Sequence, residues 1–146
     1  MKLNTGKMAF AIEFDNGDTQ NIYFNPNDPD LAIRMKDFQN KVEERTKNIQ
    51  DLQLKKDGTP EDVSAIERFR EIRNIVCEEM DRAFNSEISA VVFKHCSPFA
   101  VVNGDYFILQ FIEGIKPEIE KHIKKANAAV EKKMQKHIAN YTKVTK

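Results

Sequence analysis

Few side chains in this sequence carry catalytic or metal-binding chemistry, and they are poorly grouped. His95 and Cys96 are adjacent, and an imidazole beside a thiol is the raw material of a nucleophilic pair or of half a zinc site. Neighbouring residues point their side chains apart unless a loop bends them together, so both are expected to be ordinary loop residues. His122, His137 and Cys77 stand at no metal-ligand spacing from them or from each other. Glu78 with Glu79, and Glu118 with Glu120, offer the paired carboxylates that acid–base catalysis uses. Each pair sits in a charged helical stretch with no cleft-forming loop around it, which is the setting of a solvated face. There is no glycine-rich phosphate loop, no Gly-x-Ser-x-Gly, no His-Glu-x-x-His and no calcium-loop spacing. No catalytic, cofactor-binding or metal-ligating residue is expected, and no enzyme activity.

The elements that would position any site must come from 146 residues, enough for one domain spanning 1–146 with one core. A hydrophobic share of 40% and a mean hydropathy of −0.59 give a high surface-to-core ratio, as in elongated helical proteins. Lys+Arg (23) and Asp+Glu (23) cancel, so no global field draws in nucleic acid or anionic lipid. The cancellation hides an asymmetry. Residues 61 to 87 hold eight acids against four arginines, and residues 115 to 146 hold nine lysines against three glutamates. Such a chain is expected to pack against copies of itself or an acidic partner, or simply to carry a solvated lysine-rich helix face. Nucleic acid and membrane are not expected partners, because the tail lacks interleaved aromatics. Met1 to Lys7 has no apolar h-region behind it, so no signal peptide is expected, and the longest apolar run, Tyr106 to Ile112, is broken by Gln110; a cytoplasmic protein with reduced thiols is expected.

Met8 to Phe14 alternates with period two, and Asn16-Gly17 separates it from Thr19 to Phe24. This predicts a hairpin over 1–26 with a two-residue type I′ turn, pairing Phe14 with Thr19, Ile12 with Asn21 and Phe10 with Tyr23. Both faces are then apolar, so the hairpin must lie on helices or extend a neighbour's sheet. Residues 27–93 read as a helical hairpin and a short helix. Asp28 is the expected N-cap and Pro29 the first helical residue. Leu31, Met35, Phe38, Val42, Ile49 and Leu52 form a heptad-like stripe. Gly58 and Thr59-Pro60 predict a stop and restart, with helices over 29 to 56 and 60 to 84. The second carries Val63, Ile66, Phe69, Ile72, Val76, Met80 and Phe84. Residues 94–105 read as a loop. Residues 106–146 read as a C-terminal helical segment with the stripe Phe107, Phe111, Ile115, Ile119, Ile123, Val130, Met134 and Ile138, kinked or broken at Pro117. The fold class is therefore α+β and mostly α: an N-terminal β-hairpin, an antiparallel helix pair and a long C-terminal helical segment. A helix from 29 to 56 would be about 40 Å long, against about 30 Å for a compact domain of this size. Self-association, giving a homo-oligomer, is the simplest way to cover its ends.

The order of elements resembles a family of bacteriophage and prophage tail assembly chaperones from low-GC Gram-positive hosts. The resemblance rests on the hairpin Phe10-Ala-Ile-Glu-Phe-Asp-Asn-Gly17 and on the helix opening Asn27-Asp-Pro-Asp-Leu31. It continues through Ile88-Ser-Ala-Val-Val-Phe93, Ser97-Pro98-Phe99 and Val102-Asn-Gly-Asp-Tyr-Phe107, followed by a helix ending in a Lys-rich segment. Lys94 stands where a glycine is common in that family. The resemblance implies a non-enzymatic role: binding the long helical tape-measure protein and helping tail-tube subunits polymerise around it, without remaining in the finished virion. A helical oligomeric adaptor or regulator is the alternative. Either reading makes Phe10, Ile12, Phe14, Tyr23, Phe99 and Phe107 the candidate partner-binding residues. Phe38, Phe69, Phe84 and Phe111 are assigned to the core.

Overall fold

A computed structural model describes residues 1–52 and 63–145, the side chains of 140–145 excepted. The chain is α+β and mostly helical. Strands β1 (Met8–Glu13) and β2 (Thr19–Phe24) form the N-terminal hairpin, and α1 (Pro29–Gln50) and α2 (Val63–Phe84) follow it. A single-turn α3 (Ser89–Val92) and a short ribbon, β3 (Val101–Val102) with β4 (Asp105–Tyr106), lead into α4 (Phe107–Thr145). Helix α1 ends at Gln50 with Asp51 as its C-cap, short of the expected end at 56; the predicted stop at Gly58 and restart at Thr59-Pro60 lie outside the described residues.

The hairpin corrects the predicted turn. β1 and β2 pair antiparallel with Phe10 opposite Ile22, Ile12 opposite Gln20 and Glu13 opposite Thr19, one residue away from the two-residue register. The loop has three residues. Gly17 N–H donates to Phe14 O (3.1 Å) and Phe14 N–H to Asp18 O (2.9 Å), with Gly17 alone left-handed at φ 90°. This is a type I turn closed by a glycine bulge. Asn16 is not left-handed, and its side chain accepts from Asp18 N–H (3.0 Å), bracing the three-residue loop. A one-residue slip exchanges faces, so the hairpin is not apolar on both sides. Phe10, Ile12, Ile22 and Phe24 turn inward, and Ala9, Ala11, Asn21 and Tyr23 outward to solvent. The ribbon β3–β4 is where both central residues of an Asn-Gly turn go left-handed, Asn103 at φ 52° and Gly104 at φ 81°, as a type I′ turn requires. Within the loop over 94–105, Val101–Val102 is extended and pairs with Asp105–Tyr106 across that turn, and the helix starts one residue after Tyr106.

Asp28 caps α1 as expected, its side chain accepting from Asp30 N–H, with Pro29 in the first turn. Leu31, Met35, Phe38, Val42 and Ile49 are buried, so the heptad-like stripe of α1 is its core face. At the end of α2, Asn85 is left-handed at φ 51° and Ser86 N–H reaches back to Asp81 O (3.1 Å), a Schellman-type stop. The Asp81 carboxylate then accepts from Ile88 N–H, Ser89 N–H and Ser89 Oγ–H at 2.9, 2.7 and 2.9 Å. That carboxylate fixes the corner from which α3 departs. On α2, Ile72, Val76, Met80 and Phe84 are buried as the stripe predicts, whereas Val63 is exposed and Ala65, Glu79 and Ala83 join the buried face.

One core joins Ile22 and Phe24 of the hairpin, the stripes of α1 and α2, Ile88, Val92 and Phe99, and Ile108, Ile112, Ile115 and Ile119 of α4. Two polar ties cross it. Arg45 donates through Nε to Glu79 Oε1 at 3.0 Å, joining α1 to α2. Arg34 Nε donates to Ala83 O at 2.8 Å. Helix α4 passes through Pro117 without a break. Its 39 residues amount to about 58 Å, far more than the core can cover.

Candidate functional site

Two surfaces stand out once the core is accounted for. The first is an open groove of about 1260 Å³ between β1 and the first half of α4. Residues 8 to 15 form one wall; Phe107, Phe111, Gly114, Glu118 and His122 form the other, with His95 and Cys96 at one end. Phe10 stacks on Phe24 with centroids 4.4 Å apart and meets the His122 ring edge-on at 5.4 Å. Phe14 lies edge-on against His95 at 4.8 Å. The Phe10–His122 pair sets the hairpin against α4 and the Phe14–His95 pair sets it against the loop after α3, without sealing the space beside them.

Four of the six candidate partner-binding residues come together here: Phe10, Ile12, Phe14 and Phe107 line the groove. The other two lie elsewhere. Tyr23 is 52% exposed on the opposite face of the hairpin. Phe99 is a core residue at 6% exposure, edge-on to Phe69 and Tyr106. Gly114, Glu118 and His122 belong to the groove as well; at spacings of 3, 4 and 4 from Phe111 they continue its helical face, a periodicity hidden in the sequence because none of the three is apolar.

His95 is bent toward the hairpin, not toward Cys96. Its Nε2 lies 2.6 Å from Asp18 Oδ2. The hydrogen bond from His95, then one from Gln20, holds the Asp18 carboxyl at about 2, well below its ordinary range. A carboxylate in that state only accepts, so the imidazole donates from Nε2. Burial pushes both the Cys77 and the Cys96 thiol up, with the Asp81 and Asp15 carboxylates respectively adding to it. Neither has the lowered pKa of a nucleophilic cysteine. Among the described residues no three His, Cys, Asp or Glu side chains converge on a point where a metal ion would sit.

The second surface is the far half of α4. From Lys124 to Ala139 every side chain is exposed save half-buried Ala126. The stripe that buries Ile115 and Ile119 continues outward as Val130 and Met134, 56% and 58% exposed. Lys124, Lys125, Lys132, Lys133 and Lys136 flank it, against Glu131 as the only acid between 124 and 139. The C-terminal stripe is helical in its spacing throughout, as expected, but the core covers it only as far as Ile123. No helix among the described residues is long and apolar enough to cross a membrane.

Comparison with protein-family models, with curated proteins and with solved structures finds no match to this chain.

Proposed function

We propose that this protein is a non-enzymatic assembly chaperone of a bacteriophage or prophage tail, binding the tape-measure protein and bringing tail-tube subunits to it. In this reading it works as a homo-oligomer in the cytoplasm of the host cell and is absent from the finished virion. The observation that carries it is the far half of α4: a helix projecting past its own core with Val130 and Met134 exposed between lysines. An amphipathic helix presented this way is suited to lie along another helix, with apolar residues a turn apart as anchors. Lysines on its flanks favour a client that is acidic beside its apolar seam. Many copies on one long client gain avidity without any single strong contact. The resemblance in element order supports the same role, and the four aromatic and aliphatic groove residues supply a second surface for self-association or for tube subunits.

Co-expression with the tape-measure protein from the same phage tests the proposal. The client is expected to stay soluble with the intact chain and to precipitate when Val130 and Met134 are both changed to Glu. A client equally soluble with both forms would contradict it.

A further inference from the structure

The edge of β1 away from β2 presents backbone groups that no described residue pairs with. Phe14 N–H donates to Asp18 O, and Ile12 and Phe10 stand opposite Gln20 and Ile22. In an antiparallel ladder the bonded pairs alternate. The N–H and C=O groups of Phe10 and Ile12 therefore face β2, and those of Ala9, Ala11 and Glu13 face away, along the groove. The sheet has two strands among the described residues, and none of those residues pairs with that outward row. Natural edges are usually blunted by proline, a bulge or a central charge. β1 reads Met-Ala-Phe-Ala-Ile-Glu in unbroken register and has none of these.

We propose that two copies join through β1, antiparallel about a two-fold axis at Phe10, into a continuous four-stranded sheet. The register follows from charge. Placing Phe10 opposite Phe10 of the second copy sets Ala9 opposite Ala11 and Lys7 opposite Glu13, twice by symmetry. Opposite charges directly across a strand pair stabilise it, and like charges oppose it. On the inward face the same register sets Ile12 opposite Met8, which is 40% exposed in one copy alone. The outward face meets Ala against Ala, with no side chain to obstruct the approach. A two-fold operator makes the contact self-complementary and closed. The pairing is independent of any client, because it uses β1 and leaves Val130 and Met134 uncovered.

Sedimentation equilibrium and amide exchange on the full chain test this. The mass is expected to rise with concentration from 16.9 kDa toward twice that value. Amide protection should rise with it at Ala9, Ala11 and Glu13 but not at Phe10 or Ile12, already paired with β2. Ala11→Pro removes an outward N–H and spares the β1–β2 ladder, so it should weaken the dimer on the order of tenfold. Lys7→Glu and Glu13→Lys should each weaken it, and the double variant should restore it. If Ala11→Pro does not fold, by circular dichroism, the charge reversals decide alone. A mass of 16.9 kDa at every concentration overturns the proposal. So does a dimer indifferent to the charge reversals, or one in which the outward amides stay unprotected because a helix or another surface makes the contact.

Discussion

Asp18 and His95, seventy-seven residues apart, meet at 2.6 Å and tie the tip of the N-terminal hairpin to the loop after α3. Lys94 Nζ reaches the same Asp18 oxygen at 3.4 Å. The tie closes one end of the groove and depends on a charged carboxylate. Because the Asp18 carboxyl titrates at about 2 when folded, below its ordinary value, the stability it contributes is present above about pH 4. It is lost as pH falls from there through the folded value. A carbon-detected NMR titration of Asp18 should show the low midpoint in the intact chain and a rise toward the ordinary carboxylate value in His95→Ala. An unchanged midpoint would remove His95 as the cause.

Arg45 and Glu79 answer differently to one substitution than to two. Glu79 is 7% exposed and its Oε2 is buried without a hydrogen-bond partner, so among the described residues its charge is met by Arg45 alone. Arg45→Ala should cost about 3 to 5 kcal/mol in urea unfolding, because a buried carboxylate is left uncompensated. Arg45→Met with Glu79→Leu should recover most of that loss. A double variant as unstable as the single one would show that the pair itself stabilises the fold.

The two Asn-Gly turns should respond oppositely to glycine. Asn103 is left-handed at φ 52°, so Asn103→Gly relieves strain and is expected to be neutral or to stabilise by up to about 1 kcal/mol. Asn16 is not left-handed and holds Asp18 N–H with its side chain, so Asn16→Gly should destabilise by about 1 kcal/mol. Thermal unfolding of the two variants separates them by sign.

Gly114 lies within α4 on the groove wall, and a Cβ there would meet nothing within 4 Å. Gly114→Ala should therefore stabilise the isolated chain by about 1 kcal/mol through helix propensity alone. A loss of stability in thermal unfolding would mean that the helix packs more closely at this point than the open groove implies.

The helices, the Asp28 cap and most of the core could be read from the residues, because Asp28-Pro29 and the stripes of α1 and α2 express local geometry; the end of α1 at Gln50 could not, since its stripe runs on to Leu52. The hairpin was legible as an element but not in register. Asn16-Gly17-Asp18 carries the same three letters as Asn103-Gly104-Asp105, yet the first closes a three-residue loop braced by the Asn16 side chain and the second a two-residue one, so these letters do not set the register. The register is what places Tyr23 opposite the groove. The Asp18–His95 contact left no trace in the sequence, since residues that far apart meet only through the tertiary fold. The stripe of α4 predicts a helix but not where its cover ends: Ile119 and Val130 look alike in sequence, and only the length of the other helices makes one core and the other surface.

Affinity capture of the tagged chain from phage-infected or induced cells during tail assembly, with the bound proteins identified by mass spectrometry, bears most directly on the proposed role. A long helical tape-measure protein should be recovered with the intact chain and lost with Val130→Glu and Met134→Glu, while mature tails contain none of this protein. Recovery of this chain as a stoichiometric part of mature tails, or capture unaffected by those two substitutions, would contradict it.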